Sequence, residues 1–185
     1  MRYAIHSEDF THKGLQFRVT LYPDDTSEAP WEECDGHGPV RFISDSEPLQ
    51  RGETVLYDCP RGRYVYDWGR AIVQAARESW GLGADALTAL AQRLGKRPTR
   101  AQIRAEAVRK DMAHLRGWCA DDWCYIGVCV QRIGTDGEPI GDEFAHALWG
   151  VESCGDYWRE VAAELAGEML PDERAQECAL TEEGA

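Results

Sequence analysis

Trp123-Cys124-Tyr125-Ile126-Gly127-Val128-Cys129-Val130 is the stretch on which the fold turns. Aromatic and β-branched residues, two cysteines and one glycine fill all eight positions without a charge, which predicts a buried strand. Downstream, Gly134-Thr135-Asp136-Gly137 is a hairpin turn signal, and residues 144–151 (FAHALWGV) supply the returning strand. Upstream the period is helical. Thr99 and Gln102 form a capping-box pair for a helix over about 100–117, with Ile103, Ala107 and Leu115 as its apolar stripe. Asp85 starts an earlier helix with Leu87, Leu90, Ala91 and Leu94 on one face, and Gly95 stops it. Before that, Asp67 caps a helix running to about Trp80.

Further out, residues 15–22 (LQFRVTLY) alternate as a strand, and Thr54–Tyr57 and Arg63–Tyr66 give two short ones. A last helix of about 157–169 follows Ser153 or Asp156 as its cap. The order strands, helices, strands, helix predicts an α+β fold: an antiparallel sheet of about four to six strands, packed by a helical segment (about 67–117) and a C-terminal helix. A chain of 185 residues suits one domain. Residues 1–170 are expected to form it, with 67–117 as a helical lobe and 171–185 as an acidic flexible tail.

A content of 43% hydrophobic and 10% aromatic residues excludes a disordered chain. No apolar run approaches the roughly 18 residues of a membrane span, and MRYAIHSEDF lacks the apolar stretch of a signal peptide. A cytoplasmic protein that does not bind membranes is the expectation. The seven cysteines, Cys34, Cys59, Cys119, Cys124, Cys129, Cys154 and Cys178, include no CxxC pair. Strand alternation places Cys124 and Cys129 on opposite faces, so reduced thiols and no structural metal or cofactor are expected.

Charge is distributed unevenly. The 33 acidic and 20 basic side chains give −13 overall: −7 over residues 1–60, +7 over 61–117 and −13 over 118–185. Two acidic arms flank a basic middle. Either the arms and the middle neutralise each other across the fold, or an acidic face imitates a phosphate backbone or docks on a basic protein groove.

Four constellations carry chemistry-bearing residues. In Trp31–Val40 (WEECDGHGPV), Asp35 can orient the His37 imidazole as a base or metal ligand, while Asp-Gly and Gly-Pro equally form turns. In Trp118–Val128, Asp121 and Asp122 sit between two tryptophans at a helix-to-strand corner, either as a turn over a Trp-filled core or as a contact patch. Ser153 and Cys154 lie at a strand-to-helix junction without a GxSxG elbow, so helix capping accounts for them and no catalytic residue is assigned. Leu87–Leu115 has the pattern of a helix-turn-helix with Arg97, Arg100, Arg104 and Lys110 as nucleic-acid contacts, or of an αα-hairpin packed on a sheet.

The tracts WEECDGHGPV, RGETVLYDCPRGRYVYDWGRAIVQAARESWG, LRGWCADDWCYIGVCV and LWGVESCGDYWREVAAELAGEML resemble a group of small phage and prophage accessory proteins. The shared order is an Asp-Gly-His-Gly loop, a Trp-Gly helix end, a Trp-Cys-x-Asp-x-Trp strand and a Ser-Cys-Gly-Asp-Tyr helix start, covering most of residues 15–170. The group brings no settled activity. A phage origin implies a non-enzymatic inhibitor of host defence, of the anti-CRISPR or anti-restriction type, acting in the host bacterial cytosol. On that expectation Glu32, Glu33, Asp35, Asp121, Asp122, Glu152 and Asp156 contact a basic nucleic-acid-binding or subunit-contact surface of a CRISPR effector or restriction enzyme subunit. The alternatives are a nucleic-acid-binding accessory protein using the helix pair 87–115, and a small enzyme or metal-binding protein centred on Asp35 and His37.

Overall fold

The computed structural model describes residues 3–33 and 36–170. In chain order the elements are β1 (His6–His12), β2 (Leu15–Pro23), α1 (Pro30–Glu33), β3 (Val40–Ile43), β4 (Glu53–Cys59), β5 (Gly62–Asp67), α2 (Trp68–Arg77), α3 (Ala84–Leu94), α4 (Arg100–Cys119), β6 (Tyr125–Ile133), β7 (Pro139–Ile140), β8 (Ala147–Glu152) and α5 (Tyr157–Glu168). The fold is α+β with antiparallel pairing throughout. The strands form two sheets rather than one. By contacts the chain divides into two compact units: the stretches up to Ser27 and from Cys124 onward, and Glu28–Trp123 between them. The three helices of the 67–117 lobe fall with β3–β5 in the second of these. The acidic tail at 171–185 lies outside the described residues.

The first unit is built on the uncharged run. Ile126, Gly127, Val128, Cys129 and Val130 of β6 are all buried, as a strand covered on both faces requires. β2 pairs along one edge of β6, with Val19 opposite Val130 and Leu21 opposite Val128. β8 and β7 share the other edge, and β1 extends the sheet beyond β2. Alternation puts Phe17, Val19 and Leu21 on the same face as Ile126, Val128 and Val130. On this face α5 lays Trp158, Val161, Ala162 and Ala166 at helical spacing. Gly127 lacks a side chain for a reason: a Cβ there would come within 2.3 Å of the Trp149 ring. The chain leaves and re-enters this unit at neighbouring positions, where Asp24 N donates to Tyr125 O at 3.0 Å. Adjacent ends of this kind accommodate a long insertion.

In the second unit, β5 is the middle of a three-stranded sheet, β3-β5-β4. Leu56 and Tyr66 from the sheet meet Ala71 and Ala75 of α2 and Val108 and Leu115 of α4. Local chemistry sets the helix ends. The Asp67 carboxylate accepts from Arg70 N, Thr99 and Gln102 complete a reciprocal capping box, and Gly95 closes α3 with a left-handed φ of 62°. Asp156 holds the N-cap position of α5 as expected, although its carboxylate pairs with Arg159 instead of the helix amides. The alternative cap, Ser153, is corrected: its Oγ accepts from Cys124 N at 2.9 Å. Among the described residues no helix is long and apolar enough to cross a membrane.

Because Ile126 is fully buried near the start of β6, where it pairs with both β2 and β8, Ile126→Ala leaves a cavity. It should lower stability by about 2–5 kcal/mol in a urea titration.

Candidate functional site

The Gly36–Pro39 turn brings His37 and Gly38 to α4, and the residue they meet is a distant one. His37 Nδ1 lies 2.6 Å from Asp111 Oδ1, a partner 74 positions along the chain. The other carboxylate oxygen of Asp111 accepts from Tyr66 Oη at 2.7 Å and from Gly38 N at 2.9 Å. Asp111 keeps 9% of its side-chain surface exposed and His37 15%, so this carboxylate draws its solvation from three protein donors. Burial pushes the Tyr66 phenol well above its ordinary range, and the hydrogen bond to Asp111 adds to the effect. Gly38 must be glycine, because a Cβ would fall 2.2 Å from Tyr66 Oη. Gln74 Nε2 donates to His37 O at 3.0 Å and fixes the turn from α2.

His114 sits one turn beyond Asp111 on α4. Its ring stacks on His37 with centroids 5.8 Å apart at 15°, and on Trp123 at 4.3 Å and 25°. Trp123 Nε1 donates to His114 O at 2.8 Å. With its Nδ1 hydrogen on Asp111, His37 presents Nε2 as the lone-pair nitrogen. Asp111 orients the His37 ring; Asp35, expected in that role, lies outside the described residues. The Asp111–His114 spacing of three on a helix was the sequence signal for this cluster.

A second cluster forms where α1 meets the end of α4. Trp31 packs edge-on against Trp118, centroids 5.2 Å apart at 82°, and tilts against Tyr64 at 5.3 Å. This contact joins two of the acidic stretches. Glu32 on one side and Asp121 and Asp122 on the other are exposed. The helix end is closed by backbone, not by the aspartates: Asp121 N donates to Trp118 O and Asp122 N to Gly117 O, with Asp121 at a left-handed φ of 59°. Burial, reinforced by the thiols of Cys59 and Cys119 and by the Glu32 carboxylate, raises the Tyr64 phenol. Burial and the neighbouring Cys59 push the Cys119 thiol up to about 11.

The remaining predicted residues are dispersed. Glu152, half-buried, and Asp156, paired with Arg159, belong to the other unit; the Glu33 side chain lies outside the described residues. Of the basic set, Arg100 and Arg104 line a groove of about 510 Å³ between α2 and α4 with Ser79, Trp80 and Ile103, whereas Arg97 and Lys110 do not line it. The unit of Glu28–Trp123 holds 15 acidic and 14 basic residues and is nearly neutral at −1; the other unit holds 18 and 6, or −12.

No protein-family model, curated protein or solved structure matches the chain.

Two outcomes follow from the Asp111 cluster. Asp111→Ala strands a buried phenol and the Gly38 amide and should cost about 3–5 kcal/mol in a denaturant titration. Tyr66, raised above the ordinary 10.0, contributes stability that is complete below pH 10 and lost as pH rises through its folded value. Tyr66→Phe should therefore flatten the alkaline loss of stability measured above pH 10.

Proposed function

We propose that the protein is a non-enzymatic inhibitor that docks an acidic, aromatic-anchored corner on a basic surface of a partner. The observation that carries this reading is the Trp31–Trp118 contact, an aromatic base flanked along the chain by exposed Glu32 on one side and by exposed Asp121 and Asp122 on the other. Carboxylates around half-buried tryptophans combine the two requirements of a specific charged interface: long-range steering and an anchor that can be desolvated. The −12 carried by the other unit adds to the attraction for a cationic partner. The resemblance to phage accessory proteins supplies the partner class, a CRISPR effector or restriction enzyme subunit in the bacterial cytosol, met at its nucleic-acid-binding or subunit-contact surface.

A second reading is favoured by the Arg100–Arg104 groove, where the Trp80 ring and two guanidiniums together suit a base and its phosphates. The two separate cleanly. On the first, the triple variant Glu32→Lys, Asp121→Lys, Asp122→Lys should lose stoichiometric, salt-weakened capture of a defence subunit while its thermal melt is unchanged; retained capture contradicts it. On the second, Arg100→Glu with Arg104→Glu should abolish retardation of a nucleic-acid oligomer and reduce its salt dependence.

A further inference from the structure

We propose that His37 and His114 bind a divalent first-row transition metal of the Zn²⁺ class. A ring nitrogen of each lies within 4.8 Å of one of the other. Bonds of about 2.0–2.1 Å in tetrahedral geometry set two nitrogens about 3.4 Å apart, a separation of the same order as that of this pair. The surroundings match what such a site needs. Asp111 holds the His37 Nδ1 side at 2.6 Å, which fixes the ring, the carboxylate–histidine–metal arrangement. Tyr66 Oη and Gly38 N in turn hold Asp111, so the orienting group is itself immobilised. The Trp123 indole covers the His114 ring and its N–H grips the His114 carbonyl, which limits the plane that ring can adopt.

Two imidazoles select Zn²⁺, Ni²⁺ or Cu²⁺ over hard cations such as Mg²⁺. Water or an incoming ligand fills the remaining positions of the ion. Neither the docking corner nor the basic groove enters this site, so it stands apart from the function proposed above.

The test is Zn²⁺ titration of the chelator-treated full chain, with thiols kept reduced, in competition with a chromophoric chelator. A visible spectrum of the Co²⁺-loaded wild type accompanies it. One Zn²⁺ per chain is expected, with a Co²⁺ spectrum of nitrogen and oxygen ligation. Asp111→Asn should weaken binding by about 10–100-fold, the effect of losing an orienting partner, and His37→Ala and His114→Ala by more. Tyr66→Phe should weaken Zn²⁺ binding by less than Asp111→Asn, because Gly38 N still holds the carboxylate. Circular dichroism melts distinguish a lost ligand from a lost fold, and the wild-type Co²⁺ spectrum depends on no variant. Failure to bind Zn²⁺ at micromolar concentration, a thiolate charge-transfer band, or full affinity in both folded histidine variants would overturn the proposal.

Discussion

Within the Glu28–Trp123 unit, one carboxylate ties together three pieces of chain that are far apart in sequence. Asp111, on the long helix α4, receives the side chain of His37, the backbone of Gly38 and the phenol of Tyr66. A carboxylate this enclosed is costly without donors and strongly stabilising with them, because each hydrogen bond to a charged group contributes about 1.5–3 kcal/mol. The missing side chain of Gly38, the protonated state of Tyr66 and the orientation of the His37 ring all follow from that requirement. The turn becomes rigid because its residues supply what Asp111 needs.

The other unit is held by the hydrophobic effect instead. Its centre is β6, uncharged from Tyr125 to Val130; β2 and β8 pair along its edges, and α5 packs its apolar face against the buried side. The difference has a functional side. The unit organised by polar bonds also holds the histidine pair and the acidic corner, while the stretch of chain assigned to the apolar unit carries most of the net negative charge.

What the sequence made legible was local. Asp67, the Thr99–Gln102 box and Gly95 act within one turn of their own helices, so their side-chain chemistry identifies them directly. The central strand was legible by composition. The shortest and most exposed strands were not: β1 (HSEDFTH) is largely polar, β3 has four residues and β7 two, and each is defined by its partner rather than by its own pattern. The candidate site was half legible. His37 stood out, but Asp111, which bonds its ring, is 74 residues away, and no local rule brings the two together. The same holds for Trp31 and Trp118, whose contact converts two separate acidic stretches into one corner. Ser153 illustrates the opposite error, a good capping residue drawn instead into the β6–β8 ladder.

The claim that the Asp111 carboxylate organises its unit is tested most directly by a double-mutant cycle between His37 and Asp111. Chemical unfolding of the wild type, His37→Ala, Asp111→Ala and the double variant gives the coupling free of each residue's other contacts. A coupling of about 1.5–3 kcal/mol is predicted for a charge-assisted bond in this setting. Costs that add to within about 0.3–0.5 kcal/mol would contradict it, leaving the loop and the helix as independent neighbours.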